Sequence, residues 1–203
     1  MRNIKIIRDQ FKGSSFRGFF YLLGNALFFN KSIIIYGKNI SNTEIEDFGS
    51  YPGIKMEKGT LLELEKAKKI IVPLPWEFQC HEYDGVLDFF VAKNSEGIQH
   101  ISWIYFHIHR NRLLSLAKNE AEIKYCLTIP AFRGCGIYHR VIHSIINYLR
   151  IKDIRRVFMC VLKENKPSIR GIEKAGFKKV GEIRLRKIMG IQISSRFDTS
   201  RMK

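Results

Sequence analysis

Between residues 123 and 177 the sequence alternates between the two-residue period of a strand and the 3.6-residue period of a helix, and few architectures accept that order. Residues 123–129 read as an apolar strand that Pro130 ends. Residues 137–149 read as a helix, because Ile137, Val141, Ile145, Ile146 and Leu149 fall on one face. Residues 156–162 form a buried strand. Residues 166–175 form a short helix, with Asn165 as N-cap and Gly176 as its stop. Residues 177–180 and 183–193 complete the strands. Upstream, residues 60–69 predict an amphipathic helix that Thr60 caps with Glu63 three residues on. Residues 87–92 and 98–109 predict a hairpin about a turn at 94–97. Strands first, then β-α-β-α-β, predicts an α+β (mixed α/β) domain: a mixed sheet flanked by helices.

Before residue 53 the regularity is lost. Residues 32–36 read as a strand, and residues 39–53 are rich in turn formers. Residues 1–31 set six basic residues against Asp9 and carry Phe11, Phe16, Phe19 and Phe20 among aliphatics. A basic, aromatic helix of that kind suits an anionic membrane face, and equally a packed face on the main domain. The division expected is an N-terminal extension, 1–52, and a domain, 53–203. The 203 residues suffice for a full core. The apolar run 19–29 is too short for a bilayer span and lacks a cleavage site. Cys80, Cys126, Cys135 and Cys160 form no C-x-x-C pair, which fits a reducing compartment. The expected location is the cytoplasm, with peripheral contact at the inner membrane face as an option.

The net charge is +16, and residues 140–203 hold 17 basic against 5 acidic residues, or +12 of it. Such an excess favours an anionic partner or simply a solvated face. The sequence itself contains one candidate anion site. At Pro130-Ala-Phe-Arg-Gly-Cys-Gly-Ile-Tyr138 a strand ends and a glycine-bearing loop opens a helix. The first amides of a helix have no internal partner and carry partial positive charge. Gly134 and Gly136 allow close backbone approach, and Arg133 adds a fixed charge. The loop has no Lys-Ser/Thr ending for a Walker phosphate site and lacks the third glycine of a dinucleotide fingerprint.

That loop resembles the acyl-CoA pyrophosphate loop, Q/R-x-x-G-x-G/A, of the GNAT superfamily of N-acetyltransferases. Asn165-Lys-Pro-Ser-Ile-Arg-Gly-Ile-Glu-Lys-Ala-Gly-Phe177 is similar to that family's N-x-x-S-x-x-x-x-E-K-x-G-F segment. The resemblance spans about residues 54–190. It implies a central mixed sheet whose two parallel strands splay apart, and acetyl-CoA as acyl donor with no metal. The backbone of Arg133, Gly134, Cys135, Gly136, Ile137 and Tyr138 would bind the pyrophosphate. Main-chain groups of Leu127, Thr128 and Ile129 would pair with the pantetheine arm, with Thr128 as oxyanion donor. Asn165 and Ser168 would flank the thioester end. Ala121-Glu-Ile-Lys-Tyr-Cys126 resembles the strand that carries the family's glutamate base, which makes Glu122 the expected catalytic base. The family's tyrosine acid is replaced by Ile172, and Tyr138 stands where the loop's last small residue belongs.

Other residues suggest an acceptor site. Glu77, Glu82 and Asp84 sit in an aromatic and acidic run where the resemblance places acceptor loops, and could hold an ammonium group. His107 and His109, two apart on the predicted strand, would share one face and line the same cleft. His139 and His143, with Cys135 one turn earlier, have zinc-compatible spacing but no fourth ligand, and are read as solvated. The activity expected is transfer of an acetyl group to a primary amine by direct attack, the acceptor being a small molecule or an amino sugar of a surface-glycan precursor. Two alternatives stay open: a nucleic-acid-binding module using the basic C-terminal third, although no RNP-like, zinc-knuckle or helix-turn-helix motif is present, and a GNAT fold that binds acyl-CoA without turnover.

Overall fold

The structure is a computed structural model, and it describes residues 28–40, 53–111, 113–188, 191–193 and 197–199. Its elements in chain order are β1 (Phe28–Asn39), β2 (Lys55–Lys58), α1 (Leu61–Ile70), a 3-10 turn (Trp76–Gln79), α2 (Cys80–Asp84), β3 (Phe89–Asn94), β4 (Gly97–Phe106), β5 (Leu114–Ser115), β6 (Glu120–Thr128), a second 3-10 turn (Pro130–Phe132), α3 (Ile137–Ile151), β7 (Arg156–Leu162), α4 (Lys166–Lys174), β8 (Lys178–Ile188), β9 (Ile191–Ile193) and β10 (Phe197–Asp198). Eight strands form one sheet in the order β2-β3-β4-β6-β7-β1-β8-β9, and β5 pairs with β10 apart from it. Within the large sheet every neighbouring pair is antiparallel except β6 and β7. The result is the mixed sheet with flanking helices expected for the GNAT fold.

The parallel pair follows from the strand–helix–strand order, since only a crossover can return the chain to run beside itself. Helix α3 provides that crossover. Ile137, Val141, Ile142, Ile145, Ile146 and Leu149 are buried against Ala121, Ile123, Val157 and Met159 of the sheet. Each such side chain contributes about 1.5–3 kcal/mol by leaving water, which fixes the helix on that face. The opposite face carries a second core around Trp103, Phe78 and Leu64, covered by α1, the first 3-10 turn and α2. Thr60 caps α1 as the sequence implies: its hydroxyl accepts from the Glu63 amide at 3.3 Å, and its own amide donates back to the Glu63 carboxylate at 3.0 Å.

Two expectations are corrected here. The hairpin's second strand stops at Phe106, so His107 and His109 lie in a turn and not on a shared strand face. The His109 amide donates to the Phe106 carbonyl at 3.0 Å and its ring nitrogen Nδ1 accepts from the Phe106 amide at 2.9 Å, which closes that turn. The strand expected at 32–36 is also longer, and it lies inside the sheet between β7 and β8. From there Tyr36 donates to the Glu173 carboxylate at 2.8 Å and Lys38 donates to the Ala175 carbonyl at 2.9 Å, tying both to α4. The expected helix over residues 1–31 falls outside the described residues as far as residue 27, and β1 begins at Phe28. Among the described residues no helix is long and apolar enough to cross a membrane.

Candidate active site

The paired part of β6 and β7 is short. Glu120, Ala121 and Glu122 face Arg156, Val157 and Phe158, and the pairing ends there. Beyond Glu122, β6 keeps β4 on one side and has no strand partner on the other among the described residues. A β-bulge sits in this stretch: Ile101 pairs with Leu127 and Trp103 with Lys124, so β6 carries one residue more, and Tyr125 has φ 50°. A bulge bends its strand and re-aims the side chains beside it. The free edge of β6 therefore opens onto a gap.

That gap is the floor of a cavity of about 610 Å³, within the roughly 300–1,000 Å³ usual for small-molecule sites. Cys126, Leu127 and Thr128 line one side. Phe132, Arg133, Gly134, Gly136, Ile137 and Tyr138 line the loop side. Asn165, Ser168, Arg170, Gly171 and Lys174 of α4 line the third. So nine of the residues expected around a bound donor border one space: Leu127, Thr128, Arg133, Gly134, Gly136, Ile137, Tyr138, Asn165 and Ser168. Ile129 and Cys135 do not border it. The Ile129 amide donates to the Gln99 carbonyl at 2.9 Å, and Cys135 is exposed.

The electrostatics of the cavity are those of an anion site. Both α3 and α4 begin at it. Gly136 caps α3 with no side-chain hydrogen bond, so the first-turn amides are left for a ligand. Gly134 and Gly136 take φ 81° and 72°, a left-handed conformation in which a side chain is strained. At α4 the Asn165 side chain accepts from the Ser168 amide at 3.2 Å. Arg133, Arg170 and Lys174 bring fixed positive charge, and among the described residues Glu77 is the one carboxylate on the wall. Arg133 is itself steadied by donating from Nε to the Thr128 carbonyl at 3.1 Å. Burial, then Lys174 and Arg140, lower the His139 pKa, which keeps that ring neutral among the cations.

Beneath the cavity runs a chain of polar groups that the sequence reading missed. Buried His100 joins Thr128 Oγ1 at 2.7 Å to Ser102 Oγ at 2.7 Å through its two ring nitrogens. Burial lowers the His100 pKa to about 3, so the ring is neutral. The Cys126 thiol donates to the Lys124 carbonyl at 3.7 Å, and burial pushes its pKa up to about 12. The Tyr138 ring packs against α4 at Gly171, where a Cβ would come within 2.4 Å of it. Tyr138, the odd residue of the loop, thus points inward to the cleft. The one available signal was His100 and Ser102 at alternate positions of a strand that is apolar from Ile101 onward apart from Ser102.

The remaining candidates are dispersed. Glu122 is fully buried, does not border the cavity, and lies four residues before Cys126 on β6. Its Oε2 accepts from the Asn111 side-chain amide and lies 3.5 Å from Lys124 Nζ. One carboxylate oxygen of Glu122 is thus held by polar partners, while Oε1 is buried with no hydrogen-bond partner among the described residues. Glu82 is exposed and bound to Lys68 at 2.5 Å, together with Glu65. Asp84 accepts from the Tyr105 hydroxyl at 2.6 Å. His107 and His109 line a separate pocket of about 230 Å³ with Asn111. His143, read as solvated, is buried. Ile172 is buried in the core. Glu77 alone of the acceptor candidates reaches the cavity.

Similarity to known proteins agrees with this geometry. The family model for the acetyltransferase (GNAT) domain matches residues 43–178, about two thirds of the chain. No curated protein matches it significantly. A GCN5-related N-acetyltransferase from Sphaerobacter thermophilus superposes with a TM-score of 0.57 at 13% identity, covering 93% of this chain and 60% of that one. A GNAT-family acetyltransferase from Colwellia psychrerythraea gives 0.55 at 14%, covering 91% and 63%. The glucosamine N-acetyltransferase region of a fungal multidomain β-N-acetylglucosaminidase gives 0.57 at 14%, covering 84% and 22%. At such identities the likeness is one of fold, and the chain spans about three fifths of the length of the first two.

Proposed function

The chain belongs to the GNAT acetyltransferase family, and from that membership we propose that it transfers the acetyl group of acetyl-CoA to a primary amine by direct attack. The observation that carries the reading is the convergence of two helix N-termini, Arg133, Arg170 and Lys174 on a cavity whose floor is the unpaired edge of β6. A diphosphate fits the amides and cations of the loop. An extended amide-bearing arm fits the free edge of β6, which can accept it as a strand would be accepted. The thioester then lies toward Cys126 and the bulge.

Direct attack is favoured over a covalent relay by the state of Cys126. Its thiol, pushed up to about 12, is a poor nucleophile at neutral pH. For the acceptor, half-exposed Trp76 is the chain neighbour of Glu77, which lines the cavity. An aromatic face next to a carboxylate suits a sugar bearing an ammonium group, so an amino sugar is the acceptor class proposed. The test is titration with acetyl-CoA, followed by a screen of amines read by thiol release. Binding with release that depends on an amine is the expected result. Binding without release from any amine supports the fold as an acyl-CoA binder only, and salt-sensitive nucleic-acid binding without coenzyme A binding removes the reading.

A further inference from the structure

Acyl transfer to an amine requires a base that touches the acceptor nitrogen, is not neutralised by a partner, and is held in place. Of the three glutamates on or near β6, buried Glu120 is ion-paired with Arg156, and Glu122 and Glu77 differ on each point. Glu122 has its Oε2 in the Asn111 amide and the Lys124 ammonium, its Oε1 is buried without a hydrogen-bond partner among the described residues, and it does not border the cavity. Glu77 lies on the cavity wall with Cys126, Leu127 and Thr128. No lysine or arginine among the described residues forms an ion pair with it. Its backbone is pinned: the buried Trp103 indole donates to the Glu77 carbonyl at 2.7 Å, Phe78 beside it is fully buried, and Trp76 meets the bulge residue Tyr125 edge-on at 4.6 Å.

We infer that the Glu77 carboxylate is the base that takes the proton from the acceptor ammonium. This assignment rests on the acyltransferase reading above. Glu77 removes one proton and leaves a neutral amine. The nitrogen then forms a bond to the acetyl carbon, the carbon–sulfur bond breaks, and the electron pair leaves on sulfur. A second nitrogen-bound proton neutralises the thiolate, giving amide, free thiol and protonated Glu77. Burial raises the Glu77 pKa, the direction that brings a carboxylate toward neutral-pH basicity.

The test compares wild type, Glu77→Gln and Glu122→Gln in thiol release from acetyl-CoA between pH 5.5 and 9. The probes are a mixture of glucosamine, lysine and spermidine, and separately hydroxylamine, which is already neutral at pH 7. Glu77→Gln is expected to bind acetyl-CoA as wild type does and to lose about a hundredfold or more in rate with the basic amines. It should also lose the acidic limb of the pH profile, while its hydroxylamine rate falls less than tenfold. Glu122→Gln is expected to keep that limb. The assignment is overturned if Glu77→Gln keeps the limb, if Glu122→Gln is the variant that removes it, or if wild type uses hydroxylamine but none of the basic amines. Absence of release with either nucleophile from wild type overturns the acyltransferase reading itself.

Discussion

Tyr138 and Gly171 make one unit at the scale of single residues. An alanine in place of a helical glycine ordinarily stabilises by roughly 0.5–1 kcal/mol. At Gly171 the added carbon would sit 2.4 Å from the Tyr138 ring. Gly171→Ala is therefore expected to destabilise by about 1–3 kcal/mol. Part of that loss should disappear on a Tyr138→Ala background, as a double-mutant cycle by urea unfolding would measure. A stabilising Gly171→Ala would remove the contact from the account. His100 gives a second residue-scale expectation. Its imidazole titrates near 6.5 in an unfolded chain and near 3 in the fold. The unfolded state thus binds the extra proton between those values, and stability is lost as pH falls from about 6.5 toward 3. His100→Gln should flatten the pH dependence of urea unfolding in that window. An unchanged slope would contradict a buried, neutral ring.

Capping separates structure from function at the scale of elements. Thr60 and Asn165 each cap a helix, and replacing either with alanine is expected to cost about 1 kcal/mol of stability. Only Asn165 borders the cavity, so only Asn165→Ala should also weaken acetyl-CoA binding. Equal affinities in the two variants would detach α4 from the site. The sequence carried these caps openly, because Thr60-x-x-Glu63 and Asn165 before Pro167 act through neighbours in the chain. The loop from Arg133 to Tyr138 and the face of α3 were legible for the same reason. The insertion of β1 between β7 and β8 was not, since pairing partners more than a hundred residues apart leave no local mark. The end of β4 was misread because His107 and His109 continue the alternation while their backbone already turns. Glu122 looked available from its place on a strand, but its Asn111 partner reaches it from a different segment.

Charge decides the behaviour of the whole molecule. Of the net +16, +12 falls in residues 140–203, and Arg170 and Lys174 of that stretch join Arg133 on the cavity wall. Acetyl-CoA binding is therefore expected to weaken several-fold between low salt and about one molar salt, where the screening length falls to about 3 Å. Affinity that ignores salt would argue against a phosphate-directed site. The basic residues of the N-terminal segment are proposed to act elsewhere, on an anionic membrane surface. The quadruple variant Arg2→Gln, Lys5→Gln, Arg8→Gln and Lys12→Gln should then co-sediment less than wild type with phosphatidylserine vesicles, while binding acetyl-CoA equally. Equal sedimentation would end that proposal.

The loop glycines offer the sharpest comparison. Gly134 and Gly85 have left-handed φ values of 81° and 67°, and open space surrounds both, so valine strains the backbone alike at either, by roughly 1–2 kcal/mol. Only Gly134 borders the cavity at the start of α3. Calorimetric titration of acetyl-CoA into wild type, Gly134→Val and Gly85→Val should give one site per chain in wild type, unchanged affinity in Gly85→Val, and at least a tenfold loss in Gly134→Val. Equal affinity in all three, or no binding to wild type, would contradict the placement of an acyl-CoA diphosphate at the mouth of α3.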